Sequence, residues 1–482
     1  MTKVEAEVAS QPLQTRSNRA LIVTTVGLCL ALYGGFDIVR YLTYHSTAYD
    51  LAFFDQVTQN VRAGRGFSST FISYNFLGQH WEPILFLWAQ LSRLTPTPIW
   101  LLLVNSCALA LAPWAAWRLA RAWVRQLPYA AITAALITAL NPLILRTAGF
   151  DYHTEALTPV LALLALEGAH RRRWWQVAAC CVALACVKED ALLVVAGIGW
   201  LIWCVDDRRA GLLLSAAALV AFVALIAVVM PALRAGATGD LLARYAYLSD
   251  RSPASATGVI SGLLVHPTRW MGHLTSAATV AGLGVALLPL GLLPLLAGRA
   301  LLAALPVAAI PFLSDDGFQS ALRLHYGVQV FPLLLAAALV AVARLARRRN
   351  TRVSSRRTAR RVKVAGTVTV AALVATTPLT LNNVELSDLN GLDRRAGVEA
   401  VLARIPSQSQ VAATTGLVSH VSNRVTVFEF PGGNGVEYVV IDSVTDPSDQ
   451  AAAAGYFDHV RDLPRAYEVV ASESGVTLWR HR

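Results

Sequence analysis

The sequence predicts an α-helical polytopic membrane protein of about eleven transmembrane helices, followed by a small C-terminal extracytoplasmic α/β domain. Three observations predict this class. Of the 482 residues, 55% are hydrophobic and only 15% are charged, whereas a soluble domain carries about 25% charged residues. Apolar stretches long enough to cross a bilayer recur along the chain. From residue 382 onward the composition changes, and short apolar runs alternate with polar segments.

Basic residues orient the chain, because cytoplasmic loops of membrane proteins are enriched in Lys and Arg. The net charge of +11 comes from short basic runs between the apolar stretches. This pattern excludes the spread basic face of a nucleic-acid-binding protein. If all the runs are cytoplasmic, an even number of crossings separates each from the next. The runs lie at residues 3–19, 118–125, 171–173, 208–209 and 344–363.

This rule places the N-terminal tail, residues 1–19, in the cytoplasm and the C-terminal domain, residues 382–482, outside. The predicted location is the cytoplasmic (plasma) membrane, with a multi-pass domain over residues 20–381 and a first outer loop at 43–97. The apolar run beginning near Leu21 is interpreted as an uncleaved first span. The predicted spans are 20–42, 98–120, 128–147, 156–170, 174–188, 190–205, 210–232, 275–297, 299–313, 325–345 and 363–381.

One apolar segment, "HWEPILFLWAQLSRL" at 80–94, does not fit the alternation of spans between the two sides of the membrane. As a helix it is about 22 Å long, shorter than a hydrocarbon core of about 30 Å. A full crossing here would also move the basic run at 118–125 to the outside. The segment is therefore predicted to be a helix that lies in, or dips into, the outer interface.

Three adjacent charges, Lys188, Glu189 and Asp190, interrupt an apolar region at a corner between two predicted spans. An ionisable group at the centre of a membrane helix costs roughly 2.5–3.5 kcal/mol, so these side chains are expected to face protein or a water-filled cavity. The simpler alternative is a tight turn with an internal Lys–carboxylate pair. The other polar motifs of the membrane region fall on the same outer side, in the loops 43–97, 150–157, 233–274 and 314–327.

The first outer loop begins "YDLAFFDQVTQNV" and contains two carboxylates, Asp50 and Asp55. Asp50 follows the first predicted span closely, so a partly desolvated carboxylate is held near the membrane surface. Such a group suits a general base for a hydroxyl acceptor. We therefore predict catalytic roles for Asp50 and Asp55, with helix N-capping as the structural alternative for Asp50.

Two further motifs combine acidic and imidazole side chains: "GQHWEP", with His80 and Glu82, and "FDYHTEAL", with Asp151, His153 and Glu155. Such groups bind sugar hydroxyls or a divalent cation. On a helix, Asp151 and Glu155 share a face and His153 does not, which argues against one tridentate site. Substrate binding is predicted for all five residues, and the metal candidates are Asp50, Asp151, His153 and Glu155.

Basic residues on the outer side are few, and an anionic lipid head group needs some of them. Arg244, in "LLARYAYLSDR", and Arg323 with His325, in "ALRLHYG", adjoin predicted spans and have aromatic neighbours. These three residues and Lys188, Glu189 and Asp190 complete the predicted substrate-binding set. The alternative for the arginines is simple anchoring at the interface.

The C-terminal segment alternates five strand-like runs with two helical ones. The strands are predicted at "QVAATT", "VTVFEF", "EYVVID", "YEVVAS" and "VTLWRH", and the helices at "RAGVEAVLARI" and "DQAAAAGYFDHVRDL". Between the first two strands, "TTGLVSHVSNR" is either a binding segment or a plain connection.

Six motifs together resemble a bacterial family of predicted membrane proteins of unknown function that is placed in the GT-C glycosyltransferase superfamily. They are "YDLAFFDQ", "NFLGQHWEPILFL", "FDYHTEAL", "VKEDALL", "RLHYGVQVFPLLLAA" and "VSNRVTVFEFP", in this order from about residue 20 to 442. The resemblance implies a GT-C-like fold, a polyprenyl-phosphate-linked sugar donor and a glycan, lipid or protein acceptor. By the same resemblance Asp50 matches the position of the base, and 80–94 is similar to a juxtamembrane helix. Some members of the superfamily need a divalent cation and others do not.

A polytopic transporter or lipid flippase with an outward-facing polar cavity is the alternative function. Transporters tend to place charged sites near the bilayer midplane, between repeated halves. In this sequence the polar motifs gather at one face and no internal repeat is evident, which favours an enzyme.

Overall fold

The computed structural model describes residues 3–127, 129–237, 240–250, 254–349, 369, 373, 386–445 and 455–482. Helices make up most of this part of the chain, and a five-stranded sheet lies near the C-terminus. The predicted combination of a helical region and a small C-terminal α/β unit is therefore confirmed.

The helices before that unit are α1 (Lys3–Leu42), α2 (Phe53–Arg62), α3 (Phe76–Gln79), α4 (Ile84–Leu91), α5 (Thr97–Trp123), α6 (Ala130–Ala139), α7 (Pro142–Ala148), α8 (Thr158–His170), α9 (Trp174–Ala185), α10 (Ala191–Val205), α11 (Arg208–Ala224), α12 (Met230–Arg234), α13 (Ala256–Val265), α14 (Pro267–Leu274), α15 (Ala277–Leu287), α16 (Leu305–Phe312), α17 (Gly317–Ser320) and α18 (Phe331–Arg349).

Three helical stretches in the described part of the chain are long and apolar enough to cross a membrane. They are Arg19–Leu42 within α1, α5, and the continuous stretch Arg208–Arg234 that joins α11 to α12. The number rises to five if the bent pairs α6–α7 and α14–α15 each count as one span. Most of the predicted final span at 363–381, all but residues 369 and 373, and most of the basic run at 344–363 lie outside the described residues. Eleven crossings therefore stay a prediction.

The bend between α6 and α7 follows from the local sequence. The side chain of Asn141 accepts a hydrogen bond from the backbone N–H of Leu143, and Pro142 occupies the first turn. An Asn cap followed by Pro is a helix start signal, so a new helix begins there, at 42° to the one before.

Glycine permits close packing between α10 and α11. A Cβ atom on Gly199 would lie 2.6 Å from the backbone nitrogen of Ser215, and one on Gly211 would lie 2.3 Å from that of Trp203. Small residues at helix contacts are a common means of packing helices in membranes. The short connection between these helices is closed by Asp207, which accepts hydrogen bonds from the backbone of Arg209 and Ala210 at 3.1 Å each.

The segment 80–94 forms α4 and one further turn of 3₁₀ helix, Ser92–Leu94. It belongs to the same class of shorter apolar helices as α9 and α10, which are predicted spans, so its location in the outer interface stays a prediction.

All five strands predicted near the C-terminus are confirmed: β1 (Val411–Ala413), β2 (Val427–Glu429), β3 (Tyr438–Asp442), β4 (Tyr467–Glu473) and β5 (Val476–His481). Their order in the sheet is β2-β1-β3-β5-β4, with β1 parallel to β2 and β3, and the remaining pairs antiparallel. The helices of this unit are α19 (Arg395–Leu402), α20 (Thr415–Val421) and α21 (Tyr456–Ala466). The segment "TTGLVSHVSNR" contains α20, which connects β1 to β2. The predicted helix at 449–463 is described only from Tyr456 onward.

The C-terminal unit packs directly against the first outer loop. Gln56 donates hydrogen bonds to the backbone carbonyls of Arg424 and Val425, at 3.3 and 3.2 Å. The hydroxyl of Thr70 bonds to the backbone of Val427, whose N–H lies 3.2 Å from it. The loop that carries the predicted catalytic carboxylates is therefore in contact with both the helical region and the sheet.

Candidate functional site

A cavity of about 550 Å³ lies between the first outer loop and the loops that follow α7, α9, α12 and α17. It brings together polar side chains from six separate segments of the chain. Nine of the residues predicted from the sequence line it: Asp50, His80, His153, Glu155, Lys188, Glu189, Asp190, Arg244 and His325. The segments with polar motifs therefore meet at one cavity, while their location on the outer side of the membrane stays a prediction.

Asp50 lies in a single π-helical turn, Ala48–Ala52, that precedes α2. One carboxylate oxygen, Oδ1, accepts a hydrogen bond from Nε2 of His153 at 3.1 Å, and Oδ2 accepts one from the hydroxyl of Thr47 at 2.5 Å. A quarter of the Asp50 side chain is accessible, and this part faces the cavity. Burial raises the pKa of Asp50, but the hydrogen bonds and the charge of His153 outweigh burial and lower the pKa to about 2.

His153 is held between two acceptors. Its Nδ1 lies 3.1 Å from the backbone oxygen of Asp151, and its Nε2 lies 3.1 Å from Oδ1 of Asp50. The ring stacks on that of His325, with centroids 3.5 Å apart and planes 19° from parallel. Burial lowers the pKa of His153, but the adjacent Asp50 carboxylate raises it further, so the net shift is upward. The hydrogen bond from His153 and its charge therefore both favour the ionised form of Asp50.

The three charges at the corner between α9 and α10 all find partners outside the corner. Lys188 donates a hydrogen bond to Oε1 of Glu155. Glu189 contacts Nδ1 of His80 at 3.2 Å and accepts the backbone N–H of Trp81 at 2.9 Å. Asp190 accepts a hydrogen bond from Gln329 at 2.7 Å. The alternative of a pair internal to the turn is excluded for Lys188, because its carboxylate partner comes from the loop before α8.

Arg244 and Arg323 differ in position, although the sequence predicts the same substrate-binding role for both. Arg244 lines the cavity, is 42% exposed and lies 3.6 Å from Asp316. Arg323 is also exposed, but its guanidinium packs over the ring of Phe318 at 5.1 Å and is not part of the cavity wall. The structure therefore places Arg323 at the surface outside the cavity wall and does not support its predicted substrate contact.

Asp55, Glu82 and Asp151 also lie outside the cavity wall. Asp55 is fully buried on α2, where it accepts hydrogen bonds from Ser422 and from Gln59. Glu82 is fully buried as well. The structure therefore does not support a catalytic role for Asp55 or direct substrate contacts for Glu82 and Asp151, because none of these carboxylates is part of the cavity wall.

Asp151 supports the Asp50 turn instead. Its Oδ1 accepts a hydrogen bond from Arg40 at 2.6 Å, and its Oδ2 accepts the backbone N–H of Thr47, also at 2.6 Å. Arg40 lies at the end of α1 and also donates to Asp388, which precedes the C-terminal unit, at 3.1 Å. An ion pair of this kind is invisible to local sequence patterns, since its members lie in three distant segments.

The four candidate metal ligands do not form a metal-binding group. Asp50 and His153 are hydrogen-bonded to each other, Glu155 is paired with Lys188, and Asp151 with Arg40. Within the described ranges no cluster of three or more His, Cys, Asp or Glu side chains has the geometry to hold a metal ion.

The cavity also contains residues that the motif analysis did not single out. Tyr245 and Tyr326 flank Arg244 and His325 in sequence, and Gln329 follows within the motif "RLHYGVQVF". Neutral polar residues such as Gln329 carry no charge signal, but their place inside the shared motif is a signal that could have indicated them. The polar wall is completed by Tyr49, Gln79 and Gln319.

Comparison with known proteins gives one family match and several distant structural likenesses. The family model described as "Predicted membrane protein (DUF2079)" matches residues 40–478. No curated protein matches the chain. Among solved structures, the arabinofuranosyltransferase AftD from Mycobacteria is 15% identical with a TM-score of 0.46, covering 96% of this chain. The chain spans only 40% of the length of AftD. ArnT from Cupriavidus metallidurans, in the apo state, is 12% identical with a TM-score of 0.44, covering 96% of this chain and 98% of its own.

Proposed function

The chain belongs to the DUF2079 family of predicted membrane proteins, and on this premise we propose that it is a membrane glycosyltransferase of the GT-C type. In this proposal it transfers a sugar from a polyprenyl-phosphate donor to a hydroxyl acceptor at the outer face of the cytoplasmic membrane. The observation that carries the proposal is the meeting of Asp50 with polar residues of five other segments around one cavity. The motif resemblance described above supplies the reaction class.

Asp50 is the proposed general base. It accepts the proton of the acceptor hydroxyl while the acceptor oxygen forms a bond to the anomeric carbon of the sugar. The bond from that carbon to the donor phosphate oxygen breaks, and the phosphate leaves with the electron pair, so the configuration is inverted. The low pKa of Asp50 keeps the carboxylate ionised at neutral pH. The hydroxyl proton becomes acidic as the new bond forms, so even a weakly basic carboxylate accepts it.

Arg244 is the proposed contact of the departing phosphate. A fixed cation stabilises the negative charge that develops on a leaving group. Lys188 also lines the cavity, but its ammonium group is engaged by Glu155. Arg244 is more exposed, and its nearest carboxylate, that of Asp316, lies at the longer distance of 3.6 Å. Its guanidinium also lies over the ring of Tyr326, 5.8 Å from the centroid, but no carboxylate among the described residues holds it as closely as Glu155 holds Lys188, so it is better able to bind an incoming phosphate.

The cavity wall also suits a lipid-linked donor. Apolar residues of α16, Val307, Ile310 and Pro311, form one side of it together with Val330, which directly precedes α18. A prenyl chain entering from the bilayer would contact this side while its phosphate meets the polar wall. In this proposal eleven spans place the N-terminus in the cytoplasm and the C-terminal domain, with the cavity, on the outer face.

The test is sugar transfer by the purified full chain in lipid nanodiscs. A panel of radiolabelled polyprenyl-phosphate sugars is incubated with hydroxyl acceptors extracted from a bacterial cell envelope. The wild type is expected to transfer label and Asp50→Asn to lose at least about 10²-fold in rate, as expected for removing a general base. Asp55→Asn is the matched control, because it makes the same change five residues away outside the cavity, and it should retain transfer.

Two outcomes would contradict the proposal. Equal transfer by the wild type and by Asp50→Asn would remove Asp50 from the base position. Movement of a labelled lipid across sealed vesicles, without any transfer of sugar, would instead favour the transporter or flippase.

A further inference from the structure

The turn that carries Asp50 cannot satisfy its own backbone. The first N–H groups of any helical turn lack partners within it, and the π-helical turn Ala48–Ala52 has no side-chain cap from Thr47, the residue that precedes it. The N–H groups of Thr47, just before the turn, and of Ala48, its first residue, are satisfied from distant parts of the chain. The N–H of Thr47 bonds to Oδ2 of Asp151 at 2.6 Å, and the N–H of Ala48 bonds to the hydroxyl oxygen of Thr415 at 3.1 Å.

Thr415 is the first residue of α20 in the C-terminal unit. The helix follows β1, and it lies against the end of α1 and the Asp50 turn. A Cβ atom on the next residue, Gly416, would lie 1.9 Å from the backbone oxygen of Tyr44, so only glycine permits this approach. Ala48 itself is fully buried, and a buried N–H left without an acceptor costs about 1–3 kcal/mol.

Further contacts fix the register of α20 along the first outer loop. Nε2 of His420 donates to the backbone oxygen of Tyr41 at 3.0 Å, and the two rings stack with centroids 4.2 Å apart. Just past the helix, Ser422 donates to Asp55. The contacts of α20 thus run on both sides of the Asp50 turn, and a displacement of α20 would change the position of that turn.

We propose that Thr415 is a positioning residue for Asp50, and that the C-terminal unit completes the active site by fixing the position of the Asp50 turn through contacts outside the cavity wall. Thr415 is not part of the cavity wall, so its hydroxyl acts through the backbone of Ala48 and not on the substrate. The catalytic consequence rests on the function proposed above, whereas the control of the turn's geometry does not. The two parts are therefore tested separately.

The geometry is tested by amide hydrogen exchange of the full chain in nanodiscs, followed by mass spectrometry. Thr415→Val has the same shape but no acceptor, and Thr415→Ser retains the hydroxyl. Peptides covering residues 44–53 should exchange up to about tenfold faster in Thr415→Val, the effect of one lost hydrogen bond. They should exchange at the wild-type rate in Thr415→Ser. Thr477→Val, on the exposed side of β5, is the matched control and should leave these peptides unchanged.

Peptides from β3 and β5 report whether the sheet remains folded in each variant. If the peptides from β3 and β5 exchange faster in Thr415→Val, Thr415→Ala is measured as the second variant. Unchanged exchange at 44–53 in Thr415→Val, or no rescue by Ser, would overturn the proposal. Loss of protection throughout the sheet in both the Val and the Ala variants would also overturn it, because Thr415 would then act on the stability of the unit and not on the turn.

The catalytic consequence is tested by the kinetics of sugar transfer. Misplacement of a base lowers kcat and kcat/KM together and leaves KM for the donor unchanged. Thr415→Val should therefore lower kcat up to about tenfold, and Thr415→Ser should restore it. A rise in KM for the donor with kcat unchanged would contradict a positioning role and would assign Thr415 to donor binding. If the wild type transfers no sugar, the proposed function fails, while the exchange experiment still decides whether Thr415 holds the turn.

Discussion

The ammonium group of Lys188 donates a hydrogen bond to Oε1 of Glu155, and the two side chains are only 13% and 3% exposed. This pair explains how the chain accommodates three adjacent charges in an apolar region. A buried charge is tolerated when it is paired, and the partner of Lys188 comes from the motif "FDYHTEAL" in another loop. The corner between α9 and α10 is therefore part of the cavity wall and depends on the loop before α8.

Breaking this pair should destabilise the protein strongly. Lys188→Met or Glu155→Gln alone is expected to lower the free energy of unfolding by about 3–5 kcal/mol, because each leaves the other group buried without its partner. The double variant should lose clearly less free energy of unfolding than the sum of the losses in the two single variants. The measurement is a double-mutant cycle on the full chain, unfolded by denaturant in one detergent.

The exposed ion pair Arg461–Asp458 on α21, in which both side chains are about three-quarters exposed, is the control for this cycle. Its Arg461→Met and Asp458→Asn variants should show no coupling, since exposed pairs contribute little to stability. Additive effects at Lys188 and Glu155 would contradict the view that the two charges compensate each other.

Arg244 should contribute to binding of the donor phosphate. Arg244→Ala is expected to raise KM for a polyprenyl-phosphate sugar by about ten- to a hundredfold, the usual range for a hydrogen bond to a charged group. The matched variant is Arg323→Ala, which removes an exposed arginine outside the cavity wall. Steady-state transfer rates over a range of donor concentrations make the comparison, and equal KM values for the two variants would remove Arg244 from the phosphate site.

Much of the fold follows from local sequence patterns. The period of apolar residues predicted the helical region, and all five strands near the C-terminus were predicted from alternating runs. The single span predicted at 128–147 is broken at Asn141 and Pro142 into α6 and α7, a start signal that the span prediction did not use. The spacing of basic runs predicted that the loops with polar motifs share one side of the membrane. The structure brings them to one cavity, while their location on the outer side stays a prediction. Packing of the C-terminal unit on the first loop did not follow, because no local pattern specifies which surfaces meet.

The candidate site was predictable to the level of its motifs but not of its pairings. Asp50, His153 and Lys188 all line the cavity, as their charges in apolar surroundings predict. Asp151 has the same signal, yet it binds Arg40 and the backbone of Thr47. Whether a carboxylate faces a cavity or a cation is decided by the direction of one side chain, which sequence periodicity does not give for an irregular loop.

The ionisation of Asp50 should depend on His153. In the wild type the pKa of Asp50 is lowered to about 2, so the carboxylate is ionised throughout the pH range in which transfer is measured. In His153→Gln burial remains and the cation is lost, so the pKa of Asp50 should rise above its ordinary value of 3.8. The rate should then fall as the pH decreases from 7 to 5, while the wild-type rate stays level.

Profiles of kcat/KM against pH measure this effect, with a shift of the acid limb by at least about one pH unit expected in His153→Gln. His80→Gln is the control, because His80 contacts Glu189 on another side of the cavity. An identical acid limb in the wild type and in His153→Gln would show that the imidazole does not set the protonation of Asp50.

Asp55 should make the protein less stable as the pH rises. Burial raises its pKa from 3.8 to about 7, although hydrogen bonds from Ser422 and Gln59 oppose the shift. Between these two values the folded state binds more protons than the unfolded state, so the free energy of unfolding decreases with increasing pH and levels off above pH 7.

The Asp55→Asn variant removes this titratable group. Its stability relative to the wild type should be similar near pH 4 and should increase toward pH 8, by an amount on the order of 3 kcal/mol. Thermal unfolding in one detergent at pH 4, 6 and 8 measures the trend. A difference between wild type and Asp55→Asn that stays constant with pH would mean that Asp55 is ionised in the folded protein, with Ser422 and Gln59 compensating for its burial.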